Sequence, residues 1–110
     1  AQQVAEWNEA EQFILVTGAT YPEELGRVRQ IVGDMPLLVP GIGAQGGDIE
    51  AVLKNGLNKE STGLIISSSR EILYAHEKVE QLVDISRGLT ASRQVAIDTM
   101  NSINKYRNTL

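Results

Sequence analysis

The chain has 110 residues, 42% of them apolar and 22% charged, with a net charge of −4 and no cysteine. That suits one small domain, able to bury roughly two thirds of its unfolded surface, and excludes disulfides, thiolate nucleophiles and cysteine-based zinc sites. A lone His76 argues against a His-rich metal site or a Ser-His-Asp triad within this chain, and the acidic balance argues against a nucleic-acid surface. No apolar run approaches the ~18 residues of a membrane span, and no signal-peptide pattern is legible. The chain opens without Met inside a helical pattern, as expected of a segment of something longer.

From Ala1 to about Ala10 the pattern is helical, with Val4 and Trp7 on one face. Phe13 to Val16 is an unbroken apolar run, expected of a strand covered on both faces of a parallel sheet. Thr17-Gly18-Ala19 turns the chain. Thr20 and Glu23 have capping-box spacing, with Pro22 in the first turn of a helix. That helix carries Leu25, Val28, Ile31 and Val32, and Gly33 ends it.

The rhythm then repeats. Leu37-Leu38-Val39 is the next strand, followed by the glycine-rich loop 41–47. Asp48 is placed to cap a short helix with Ile49, Val52 and Leu53, which Gly56 closes. Gly63 to Ile66 reads as the third strand. Ser68 and Glu71 offer a second capping box before Ile72-Leu73-Tyr74-Ala75. Beyond His76 two helices are expected, broken near Arg87-Gly88. One carries Val79, Leu82 and Val83, the other Ala96, Met100, Ile103 and Leu110.

Strand-turn-helix alternation implies parallel strands with right-handed crossovers. Three such strands leave two open edges too apolar for water, so the expected architecture is part of a larger closed sheet. Functional loops in such folds follow the C-terminal strand ends. Here they are 17–20, 40–48 and 67–70.

The second loop packs four glycines into seven residues, which permits positive φ angles and close approach of a ligand to the backbone. Its N–H groups and the helix start at Asp48 suit an anion. Gln45 adds a donor and an acceptor. The same glycines also fit an unliganded turn. Gly41, Gly43 and Gly46 match a dinucleotide fingerprint in letters only, since no acidic residue follows on a suitable strand. In the third loop, Ser67, Ser68, Ser69 and Arg70 offer hydroxyls, N–H groups and a guanidinium suited to a phosphate dianion. A serine cap beside a surface arginine is the plainer alternative. Two adjacent loops of this kind tip the balance toward phosphate, as in (β/α)8 barrels. His76, Trp7, Glu23, Glu24 and Arg27 read as structural. No two carboxylates fall on adjacent strand ends, so no general acid/base pair is visible.

Three stretches in this order, Gly18 to Leu25, Val39 to Asp48 and Ile65 to Ala75, resemble the C-terminal part of the orotidine 5′-phosphate decarboxylase family. The run Pro-Gly-Ile-Gly-Ala-Gln-Gly-Gly-Asp at 40–48 is the most specific of them. The tail through Tyr106 and Arg107 resembles the longer bacterial subgroup. The resemblance implies the C-terminal portion of a (β/α)8 barrel, with strands six to eight and their helices in 1–76 and a helical extension in 77–110. It also implies a cytoplasmic, typically dimeric enzyme with its active site completed by a second subunit. That enzyme converts orotidine monophosphate to UMP and CO2 with no metal or organic cofactor.

By the same resemblance Gln45 contacts the phosphate and pyrimidine of the nucleotide, and Pro40 and Ile42 line the pyrimidine side. Arg70 binds the phosphate with the backbone N–H of Ser69, and Gly43 belongs to the binding loop. Ser69 stands where some relatives have glycine. The family's catalytic Asp-x-Lys-x-x-Asp motif is missing: none of Asp34, Asp48, Asp84 and Asp98 begins it. No catalytic residue is therefore expected in this chain, and the remaining barrel must come from the same or another chain. A non-catalytic phosphate-binding half barrel that dimerises through its strand edges is the alternative. Another phosphosugar-handling barrel enzyme is a third reading, which Gln45 disfavours.

Overall fold

The computed structural model of the chain describes residues 1–43, 48–78 and 85–109. Helix α1 (Gln2–Trp7) leads into strand β1 (Leu15–Val16), then α2 (Pro22–Val32), β2 (Leu37–Pro40), α3 (Ile49–Gly56) and β3 (Leu64–Ser67). A short α4 (Ser69–Leu73), a 3-10 turn (Ala75–Lys78) and the long α5 (Ile85–Arg107) follow. The strands form one parallel sheet in the order β1-β2-β3. Leu15, Leu37 and Leu64 stand in one row, and Val16, Leu38 and Ile65 in the next.

Because side chains alternate across a sheet, these rows face opposite ways. Leu37 and Val39 are fully buried with Leu25, Val52 and Leu53 from α2 and α3. The other face is open: Val16 is 61% exposed and Ile65 50%. A parallel sheet with helices on one side and bare valine and isoleucine on the other is an unfinished layer, because parallel sheets are covered on both faces. The radius of gyration, 16.0 Å, also exceeds the ~13 Å of a compact domain this long.

Several local expectations are corrected. Strand β1 lacks Phe13 and Ile14, which are exposed. Its partner begins only at Leu37, and the preceding Pro36 has no N–H to extend the ladder. The Thr20–Glu23 box does not form. Pro22 takes the first helical position, which makes Tyr21 the cap and leaves Thr20 one residue too early. Gly56 is the last helical residue, not a left-handed stop. Its missing Cβ lets α3 settle on Leu25 and Leu64, with a Leu25 methyl 2.9 Å from where that carbon would sit. The break expected near Arg87-Gly88 does not fall at the glycine: α5 starts at Ile85 and runs through Gly88. A glycine costs a helix about 1 kcal/mol but does not by itself end it. The stripe of Val79, Leu82 and Val83, and Leu110, lie outside the described residues.

Two expected termini are present. Gly33 closes α2 at φ 58°. Asp48 caps α3, its Oδ1 accepting from the Glu50 N–H at 2.9 Å. Asp48→Ala is expected to cost about 1 kcal/mol, read as a lower urea midpoint with an unchanged slope.

Candidate functional site

The carboxyl ends of the strands meet at one rim, held together by the ladder, but the third loop expected at 67–70 is reduced to Ser68: Ser67 ends β3, and Ser69 and Arg70 open α4. The Thr17 N–H donates to Leu38 and the Ala19 N–H to Pro40, both at 3.0 Å. Pro40 and Ser67 are register partners, so the second and third loops leave the sheet side by side. Between them lies a cavity of about 150 Å3, lined by Pro40, Gly41, Ile42 and Ser67 to Arg70. Four sequence-chosen residues therefore share one wall: Pro40, Ile42, Ser69 and Arg70. Ile42 is buried and anchors its loop, while Ser69 and Arg70 are exposed. The Ser67 and Ser69 hydroxyls lie 3.2 Å apart. One guanidinium, two hydroxyls and the backbone of a glycine-rich turn make this rim suited to an anionic oxygen cluster.

Gly41 and Gly43 both hold positive φ, 98° and 77°, which favours glycine at each. Gly43 is not on the cavity wall. It borders a neighbouring hollow of about 510 Å3 with Asp48, Glu71, Asp98 and Tyr106. The space a Cβ would fill at Gly43 holds the Glu71 carboxylate, with Cδ 2.6 Å from that position. Gln45 lies outside the described residues. Ser68 is buried and caps α4 in position, but its hydroxyl donates to Glu71 Oε2 at 3.4 Å and not to a backbone N–H. His76 sits away from this rim, with Nδ1 3.1 Å from the Leu73 carbonyl.

A second polar centre, unforeseen from the sequence, lies at the other end of the sheet. Arg29 is buried, and its planar fork donates to four carbonyls. These are Gly56 at 2.7 Å, Gly33 at 2.6 Å, Met35 at 2.7 Å and Gly63 at 2.8 Å. They cluster at the C-terminal ends of α2 and α3 and the starts of β2 and β3, where helix dipoles favour a cation. Burial lowers the affinity of the guanidinium for its proton, and Asp34 opposes this. A cage at the amino ends of barrel strands reads as stability, and the opposite end as function. The available signal was a charged residue on the buried stripe Leu25, Arg29, Val32.

Among the described residues no helix is long and apolar enough to cross a membrane. No family model matches the chain. The chain is 56% identical over 102 residues to an orotidine 5′-phosphate decarboxylase of Dechloromonas aromatica, and 54% identical over 101 residues to that of Cupriavidus taiwanensis. These alignments cover 93% and 92% of this chain but only 35% of each relative. Among solved structures, the UMP synthase of Leishmania donovani aligns at TM-score 0.70 and 32% identity, over 96% of this chain and 22% of that one. The OMP decarboxylase of the same organism aligns at TM-score 0.67 and 31% identity, over 96% and 38%. The chain thus spans about a third of the curated relatives it matches. Over nine-tenths of its own length it is similar to the C-terminal part of orotidine 5′-phosphate decarboxylases, and its three strands and their helices are a portion of a (β/α)8 barrel.

Proposed function

We propose that these residues form the phosphate-gripping and pyrimidine-lining part of an orotidine 5′-phosphate decarboxylase. The observation that carries the reading is the cavity joining Pro40, Ile42, Ser69 and Arg70 at the carboxyl ends of adjacent strands. Arg70 takes the phosphate dianion, and the Ser69 N–H and hydroxyl complete its contacts. Pro40 and Ile42 form an apolar edge for the base, and Gln45 reaches across the nucleotide. In the whole reaction the carboxylate leaves as CO2 and the electron pair left on C6 takes a proton. The Lys/Asp groups for that step are not in these residues, so the other strands of the barrel must provide them.

The role of this segment is to supply binding energy remote from the bond that breaks. Such energy positions the ring and stabilises the closed, reactive state. Grafting residues 1–110 in place of the matching part of the Dechloromonas aromatica enzyme tests this. Decarboxylation of orotidine monophosphate is expected to persist in the graft. A folded graft that neither turns over nor binds UMP would defeat the reading.

The apolar open face of the sheet favours a second behaviour for the chain alone. Val16, Leu38 and Ile65 would associate with a second copy where no further strands cover them. Sedimentation velocity of the chain alone should show concentration-dependent association, with no decarboxylation. A strict monomer at every concentration would contradict it.

A further inference from the structure

Helix α4 has only five residues, and its first turn carries Arg70. A helix this short is not stable by itself, so something outside it must fix the direction in which Arg70 is presented. Two observations converge on the next residue, Glu71. Its Oε2 accepts from the buried Ser68 hydroxyl at 3.4 Å, within its own loop. The same carboxylate occupies the space beside the Gly43 Cα, on the neighbouring loop, where any other residue would place its Cβ. Gly43 is thus required twice, for φ 77° and for the room it leaves. Close approach at this glycine is made by a protein carboxylate.

We propose that Glu71 is a positioning residue: its carboxylate, seated against Gly43 and held by Ser68, locks the start of α4 to the glycine-rich loop and sets where Arg70 presents its charge. This rests on the phosphate-binding reading of Arg70. Glu71 touches no substrate in this scheme and acts only through its neighbour. Loss of the carboxylate removes the tie between α4 and the glycine-rich loop, and leaves α4 held by its packing on α5 and the 3-10 turn. Loss of the space at Gly43 displaces the carboxylate and has the same consequence.

The test compares orotidine monophosphate with orotidine, which lacks the phosphate, in the complete grafted barrel. Glu71→Ala is expected to lower kcat/KM for the phosphorylated substrate at least about tenfold more than for orotidine. Glu71→Gln keeps an oxygen acceptor for Ser68 and should recover most of that loss. Gly43→Ala should reproduce the Glu71→Ala defect, and the two should be strongly non-additive when combined. An equal loss on both substrates, or no loss, overturns the proposal, as does simple additivity of the two substitutions. Arg70→Ala in parallel separates the two readings. If it spares the phosphate preference, the assignment of Arg70 itself has failed, whatever Glu71 does.

Discussion

Replacing Arg29 with methionine in the complete barrel is expected to lower stability by at least about 3 kcal/mol, the largest loss from any single side chain described here. Methionine fills similar space and keeps an apolar stem on the buried stripe of α2. The change therefore isolates the donors. Without them the carbonyls of Met35 and Gly56 lose a buried partner, and those of Gly33 and Gly63 a part-buried one. A buried acceptor left unpaired costs about 1–3 kcal/mol, and partial hydration of the loop carbonyls keeps the sum below the full fourfold value. Lysine retains the charge but not the planar fork, so Arg29→Lys should fall between the two. The check is urea unfolding of the three proteins with a shared slope. A methionine variant within about 0.5 kcal/mol of the parent would show that the cage contributes little. Decarboxylase KM should not change, because this cage lies at the opposite end of the strands from Arg70.

The contrast between these two arginines explains what could be read from the sequence. Strands β2 and β3 were legible because a covered parallel strand is a bare apolar run, as in Leu37-Leu38-Val39. Asp48 was legible because a cap is a local device whose donor lies two residues on. Loop position and strand adjacency pointed to the two loops that meet at this wall, whereas the choice of Pro40, Ile42 and Ser69 within them came from the family resemblance. The Thr20 box failed because Pro22 overrode it, a competition between two local rules at neighbouring positions. The place of Arg29 on an apolar stripe marked it as unusual, but what surrounds it was not legible. Its partners are main-chain carbonyls up to 34 residues away, and a carbonyl has no letter. Glu71 against Gly43 is of the same kind. A glycine announces room, but only the fold says what fills it.

Arg70→Ala should weaken UMP binding to the complete barrel about 30-fold or more, while leaving uridine affinity nearly unchanged. The first figure follows from one charge-assisted contact to a dianion, worth about 2–3 kcal/mol. The difference between the two ligands isolates the phosphate, since they share base and sugar. Arg70 is exposed, so its attraction acts partly through water and is screened by salt. The parent should therefore lose UMP affinity as ionic strength rises, and the alanine variant should lose it less steeply. Lysine restores a point charge without the bidentate fork, so Arg70→Lys should recover part of the affinity and most of the salt slope. In turnover the defect should appear chiefly in KM, and it should reach kcat to the extent that phosphate binding energy is used to organise the reacting ring. Titration calorimetry with UMP and uridine at two salt concentrations decides the matter. Unchanged UMP affinity in a folded Arg70→Ala barrel would remove Arg70 from the phosphate site, and equal weakening of UMP and uridine would place its effect on the loop and not on the phosphate.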